Sequence, residues 1–575
     1  MSERLKKLRS FSSLAALAAS GGVLAGCTAS HYRKSADKET YGIIQQIEAG
    51  IFHKTNAFKI DTAYASRKPS EILPTELIDA RMEAGERTLT IDDALQLAAV
   101  QSRRYQTAKD QLYLSALTLT GERYAFGPIF AGRTAGNLDR SADPEVTGSV
   151  NSQVGVSQLL ATGGRLGVSI FNDLLRYYTG DPRRSAVSSI SVNLVQPLLR
   201  GFGKNNAAVE SLTQAERNTV YAVRDFSFFQ HDFAAEIVND YFRLLTQKDV
   251  VRNRYTNYLG RVQLAERMEA RSKDREQLNA ADQARQSELT SRNNYINQVA
   301  AFKNSLNQFK LKLGMTIDDK LYLDDSMLEE LIDTGLVPTT VPVDHAYRLA
   351  TEKQLLVLNS IDRFEDSKRK IGVAANRLKA DFNLLADASW RSEGPTDYTK
   401  FNPDDIRAGV GLELDLPFDR KLQRNTYRAT LISFESQLRG LTLTLDETME
   451  NIQRGLRTLA QRRQNYEIQR NALVLANRRV ASTTLSLQAG RADVRDVSEA
   501  QDAQINAENA LVDALVAYQE VRLQLALDIG ALDTTQPKFW LADQISPFLG
   551  VKAAPPIAES ATSPPVFPPE EYFKN

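Results

Sequence analysis

The feature that most constrains this chain is that it states one order of segments twice. Thr90-Ile91-Asp92-Asp93-Ala94-Leu95-Gln96-Leu97-Ala98 resembles Pro342-Val343-Asp344-His345-Ala346-Tyr347-Arg348-Leu349-Ala350. Both read as helix starts with acid in the first turn. Met268-Glu269-Ala270-Arg271 parallels Leu487-Gln488-Ala489-Gly490, and Leu311-Lys312-Leu313-Gly314 parallels Leu527-Asp528-Ile529-Gly530. The shared order argues for a duplicated unit of helix, two strands, very long helix, break and returning helix. Helices are expected at about 91–125, 204–269 and 275–313, then at about 344–376, 421–488 and 493–530.

Apolar residues at three and four spacing mark these helices. Ala234, Ile237, Tyr241 and Leu244 form one such row, and Leu511, Ala514, Tyr518, Val521 and Leu525 another. Each makes a narrow seam for packing on neighbouring helices. A soluble coiled-coil bundle would show the same seam. At 1.5 Å per residue each long helix spans roughly 100 Å, and the two shorter ones end to end match it. They would meet at an irregular belt, about 314–343 and 531–550.

Between the helices the period changes to two. Leu378, Ala380, Phe382, Leu384, Ala386, Ala388 and Trp390 alternate with mostly polar neighbours, as do Ala408, Val410, Leu412, Leu414 and Leu416. The first half is softer: Leu166, Val168 and Ile170, then Ile190, Val192 and Leu194. Four strands are expected, within about 164–196 and 377–417. Strands of about ten residues, apolar on one face, suit a transmembrane barrel. A half-buried soluble sheet alternates in the same way. Trp390, Tyr177 and Tyr178 near strand ends suit an aromatic girdle, and 179–184 and 392–405 read as exposed turns. Pro197 and Pro417 end the strand pairs, and Gly201 and Gly203 loosen the first exit. Four strands cannot close a barrel in lipid. Three chains would supply about twelve, which leaves a lumen.

The N-terminus sets the compartment. Arg4, Lys6, Lys7 and Arg9 precede a short apolar run, Phe11 to Leu24, which reads as a secretory signal over residues 1–26. Leu24-Ala25-Gly26-Cys27 resembles a bacterial lipobox, in which the cysteine is lipidated; Cys27 is the chain's one cysteine. By analogy with bacterial sorting rules, Thr28 after it favours the outer membrane. No later stretch is apolar enough to span as a helix. Residues 27–87 read as a lipid-anchored extension, with "HYRKSADKETYGIIQQI" as a helix near the anchor, and the Pro-rich 551–575 as a disordered tail. Equal numbers of basic and acidic residues, 71 each, give no reason to expect nucleic acid. One cysteine and four histidines offer no zinc cluster, and no nucleophile–base pair stands out.

Taken together, the two helix starts, the exit "LVQPLLRGFG" (Leu194 to Gly203) and the break "QAGRADVRDVSEAQDA" make the chain resemble the TolC-type outer-membrane efflux proteins. The resemblance covers about 88–535. It implies a homotrimer with a shared twelve-stranded β-barrel, four strands per chain, in outer-membrane lipid, and a long α-helical barrel in the periplasm. It implies an exit duct of a tripartite efflux or type I secretion system, with no catalytic step and no cofactor. Partners would be a periplasmic adaptor (a membrane fusion protein) and an inner-membrane RND or ABC transporter, docking near the tip turns at Arg271, Ser272, Lys273, Gly490 and Arg491. It also implies that carboxylates just past the second break ring the periplasmic aperture, which carries over to Asp496 and Glu499. The plainer reading makes Asp493 a helix cap and Asp496 a residue favoured by the helix dipole. Arg271 stands where the family usually has glycine, Gln277 where members can have Asp, and Ala492 where a basic partner can stand. The closing network is then weaker, or built from Arg271, Lys273, Arg491 and Arg495. A lipid-anchored periplasmic coiled-coil scaffold is the alternative.

Overall fold

The computed structural model describes residues 28–53, 57–83, 85–140, 146–177, 184–271, 275–339, 341–393 and 399–549. The signal, Cys27, Tyr178, Ser272, Lys273 and the Pro-rich tail lie outside the described residues. In chain order the main elements are helices α1 (Ala29–Phe52) and α2 (Pro74–Met82), strand β1 (Glu86–Leu89), and helices α3 (Ile91–Gln101) and α4 (Arg103–Tyr124). Four strands follow: β2 (Ile129–Arg140), β3 (Val146–Leu159), β4 (Arg165–Tyr177) and β5 (Arg184–Pro197). Then come α5 (Ala207–Arg271), α6 (Arg275–Leu313), β6 (Lys320–Leu323) and α7 (Ser326–Thr334). The second half has α8 (Val343–Lys353), α9 (Leu355–Asn376), β7 (Asp381–Arg391), β8 (Arg407–Asp415), α10 (Lys421–Gln488) and α11 (Val494–Ile529).

The duplication is visible in element lengths. α3 and α8 have 11 residues each, and α4 and α9 have 22 each. The long helices have 65 and 68 residues, the returning ones 39 and 36. Sequence periodicity predicts one unbroken helix at the start of each half. Each is instead broken, at Ser102 and at Gln354, both with extended backbone. A glycine at the end of the returning helix docks against each break. Gly314 (φ +86°) comes so close to Gln101 that an added Cβ would lie 2.2 Å from its carbonyl oxygen. Gly530 (φ +78°) is placed likewise, 2.7 Å from the Gln354 nitrogen. The kink is a tertiary device, so helical propensity does not announce it.

The chain divides into two compact units. One comprises 61–109, 224–363 and 438–575. Its core joins Ile91 and Ala94 of α3, Ile237, Tyr241 and Leu245 of α5, Ala346 and Ala350 of α8, and Leu523, Leu527 and Ile529 of α11. β1 and β6 pair in parallel, and the buried Tyr241 hydroxyl ties them by donating to the Leu89 carbonyl (2.7 Å) and accepting from the Asp324 amide (3.0 Å).

The other unit comprises 1–60, 110–223 and 364–437 and carries the larger sheet. This sheet corrects the strand count. It has six strands in the order β2-β3-β4-β5-β7-β8, all antiparallel, rather than four. The added hairpin, β2–β3, fills a stretch that shows no strong alternation. Helix packing in this unit centres on Asp366 of α9. Its carboxylate accepts from Tyr221 (2.6 Å), Arg217 (2.9 Å), Gln214 (3.1 Å) and Arg369 (2.9 Å), three of them on α5. α1 packs against α4, where the Tyr113 hydroxyl donates to Asp37 at 2.8 Å and Tyr113 meets Tyr41 edge-on. Burial, helped by the neighbouring Asp37 carboxylate, pushes the Tyr113 phenol up to about 12.

Candidate functional site

Two regions carry the functional reading: the faces of the six-stranded sheet, and the turn between α10 and α11. Register decides the first. Phe130 pairs with Val156, Val156 with Val168, Val168 with Val192, Val192 with Ala388, and Ala388 with Ala408. Antiparallel partners share a face, so these six residues lie on one side. With them lie Val154, Ile170, Ile190, Leu194, Phe382, Leu384, Trp390, Val410, Leu412 and Leu414. Phe130 is 76% exposed, Val410 79% and Leu412 66%. Soluble monomers rarely show so much apolar surface in one patch. One in-register polar row crosses it, Thr134, Ser152, Asn172 and Ser188, in which Ser188 hydrogen-bonds Asn172. The opposite face holds Arg133, Ser149, Asn151, Gln153, Ser169, Ser191, Asn193, Asp387 and Glu413.

The strand exits are built closely. Pro197 is the last paired residue of β5, and the Leu198 amide still donates to the Phe382 carbonyl at 2.7 Å. Gly201 donates to Asn376 (2.7 Å), and its carbonyl accepts from Asn206 (2.7 Å). Gly163, at φ +89° in the β3–β4 turn, sits so near that a Cβ would fall 2.1 Å from the Gly201 oxygen. Arg200 pairs with Asp381 across the same exit. After β8, the Pro417 carbonyl accepts from Arg420 at 3.0 Å.

At the turn, Gly490 takes φ +70° and the Arg491 amide reaches back to the Ser486 carbonyl (2.8 Å). Glycine meets this left-handed need at little cost. Asp493 is the N-cap of α11, and the Asp496 carboxylate accepts the Asp493 amide at 3.0 Å. Glu499 accepts from Arg495 at 2.8 Å and lies 3.9 Å from Arg479. Asp493, Asp496 and Glu499 are all exposed. So Asp496 caps while staying open to solvent, and Glu499 is charge-compensated. Arg271 closes α5; Ser272 and Lys273 fall outside the described residues. Sequence reasoning missed Arg261, which is 2% exposed and donates to the Ser498 carbonyl (2.7 Å) and Asp502 (2.9 Å), pinning α5 to α11 behind the turn. A small apolar cluster of Ala265, Ala284 and Val494 packs beside it.

Among the described residues no helix is long and apolar enough to cross a membrane, and no group of His, Cys, Asp and Glu could hold a metal ion. No protein family matches the sequence, and no curated protein does. Solved structures do. The chain superposes on CusC, studied for transmembrane channel formation, with TM-score 0.58 and 12% identity over 76% of this chain and 92% of that one. It has the fold of the outer-membrane channels. The Campylobacter jejuni CmeC outer membrane channel gives TM-score 0.56 and 13% identity, covering 76% of this chain and 85% of that one. The open-state Neisseria gonorrhoeae MtrE outer membrane channel gives 0.56 and 12%, covering 76% and 88%.

Proposed function

We propose that three copies of this chain form a passive exit duct in the outer membrane, anchored through lipidated Cys27, with the helical part in the periplasm. The observation that carries this reading is the sheet. One face is apolar on all six strands and exposed on five of them, half-buried on β7. The other carries most of the polar residues, with Phe171 and Val195 among them. Among the described residues both edges are open. In lipid such edges must be closed by another chain. The likeness of fold to CusC, CmeC and MtrE supports the same reading. The duct would serve a tripartite efflux or type I secretion system and has no chemical step of its own. An adaptor and an inner-membrane transporter would meet the tip turns around Arg271, Gly490 and Arg491. Asp496 and Glu499 would face the axis there. Three copies would bring acids together, which attract cations, although Arg495 and Arg479 offset Glu499.

Outer-membrane fractionation, heat-modifiable migration and planar-bilayer conductance test the proposal. Expected are trimers in the outer-membrane fraction that dissociate on boiling and conduct when reconstituted. A soluble monomer without conductance would refute it.

A further inference from the structure

We infer that the β2 edge of one chain pairs with the β8 edge of the next in a defined register, so that the membrane barrel has eighteen strands. This rests on the trimeric exit duct proposed above. Three observations converge on it.

First, the added hairpin belongs to the wall. Its apolar residues Phe130, Leu138, Val150, Val154 and Val156 share the apolar face of β4 to β8, and β3 is paired to β4 from Thr147 to Leu159. A plug folded into a lumen would have no reason to continue the lipid face. Six strands is also an even number. β2 therefore runs opposite to β8, and closure is antiparallel like every other pair.

Second, charge selects one register. Faces match only if Arg133, Asn137 and Asp139 of β2 meet the face of Arg407, Glu413 and Asp415 on β8. One alignment sets Arg133 opposite Glu413 and, at the same time, Asp139 opposite Arg407. Sliding by two residues one way keeps a single pair, Arg133 with Asp415, and the other way keeps none; in both, Asp139 has no cation opposite it. Opposed charges across a ladder stabilise pairing and like charges disfavour it.

Third, that register closes a sound barrel. Along the ladder, Phe130 leads through Val156, Val168, Val192 and Ala388 to Ala408. In the chosen alignment Ala408 faces Leu138 of the next chain, eight residues further along β2. Three chains then give a stagger of about 24 residues over about 18 strands, which with strand spacings of 3.3 and 4.8 Å means a tilt of about 42°. Barrels tilt by roughly 35–45°. Sliding by two residues gives about 35° or about 49°. The backbone radius is about 19 Å, against about 12 Å for a twelve-stranded barrel. In this unit α4, α5, α9 and α10 lead into or out of the sheet, and α1 packs on α4. Twelve helices spaced about 10 Å apart form a ring of about 19 Å radius. The hairpin thus matches wall to wall and leaves no neck at the membrane. Size selection falls to the tip turns, and the outer opening passes anything that has cleared them.

Disulfide trapping tests this on the full chain. Ala135→Cys with Gly411→Cys faces the two edges in the proposed register. Ser169→Cys with Gly411→Cys would join only if the hairpin left the wall and β4 closed on β8. Oxidation should link chains into covalent trimers in the first variant and not in the second. The reverse pattern overturns the inference in favour of twelve strands. Heat-modifiable, conducting trimers with neither link also overturn it, while leaving the exit duct intact. Absence of trimers and conductance in the unsubstituted chain removes the duct itself. As a second readout, Arg133→Glu should lower the temperature at which trimers dissociate, and adding Glu413→Arg should restore it; lack of restoration refutes the register.

Discussion

Asp366→Ala offers the clearest check on how α9 is held. The carboxylate is 3% exposed and takes hydrogen bonds from Arg217, Arg369, Tyr221 and Gln214. Removing one partner of a buried ion pair costs about 3–5 kcal/mol, because the other charge stays desolvated. Here the arginines are only partly covered, 34% and 26% exposed, and Arg369 keeps Glu210 at 2.6 Å. The lower end, about 3 kcal/mol, is therefore expected. At about 1.4 kcal/mol per decade this is a little over a hundredfold. The assay is hydrogen exchange of the solubilised protein, read over α9 and the facing turns of α5. Amide protection there should fall about a hundredfold in Asp366→Ala. Its neighbour Glu365 supplies the control, since its pair with Lys368 lies on the surface, 49% and 48% exposed. Glu365→Ala should cost under about 0.5 kcal/mol and change protection less than threefold. Equal protection in the two variants would refute the assignment of Asp366 as the clamp.

Three further outcomes are expected. Gly530→Ala should destabilise by about 2 kcal/mol or more, because a left-handed residue gains a Cβ pressed on the Gln354 backbone; urea unfolding followed by Trp540 fluorescence in a Trp390→Phe background measures it. Burial pulls the His231 pKa down, with Asp533 partly opposing. The unfolded chain therefore takes up the proton first, so stability falls as pH drops through about 6.5; His231→Gln should flatten that slope in the same unfolding assay between pH 7 and pH 5. In planar bilayers, Asp496→Ala should relieve block by multivalent cations more than Glu499→Ala does, since Arg495 and Arg479 already offset Glu499; equal block in all three proteins would remove both acids from the aperture.

The long helices were legible because a seam such as Ala234, Ile237, Tyr241 and Leu244 repeats over many turns. The breaks at Ser102 and Gln354 were not, because neither residue breaks helices by itself. What breaks them is a glycine more than a hundred residues away, pressed against the bend. The β7–β8 pair was legible from strict alternation. The β2–β3 hairpin was not, because Gly132, Thr134, Gly136, Gly148 and Ser152 dilute its apolar face. It also has no counterpart in the second half, so the duplication that reveals other elements hides this one. At the tip, sequence singled out Asp496 and Glu499 but could not show that Glu499 is spoken for by Arg495 and Arg479, nor that Arg261 lies buried behind them.

The hairpin also bears on how such a wall can change. A single inserted strand would reverse the direction of every strand after it and send the following helix to the wrong side of the membrane. A hairpin returns the chain to the side it left, so everything downstream keeps its orientation. In the proposed trimer, circumference could therefore grow only in steps of two strands per chain, six per ring. In this chain the first half carries four strands of the sheet and the second only two. The asymmetry fits one such step, taken after the halves were already doubled.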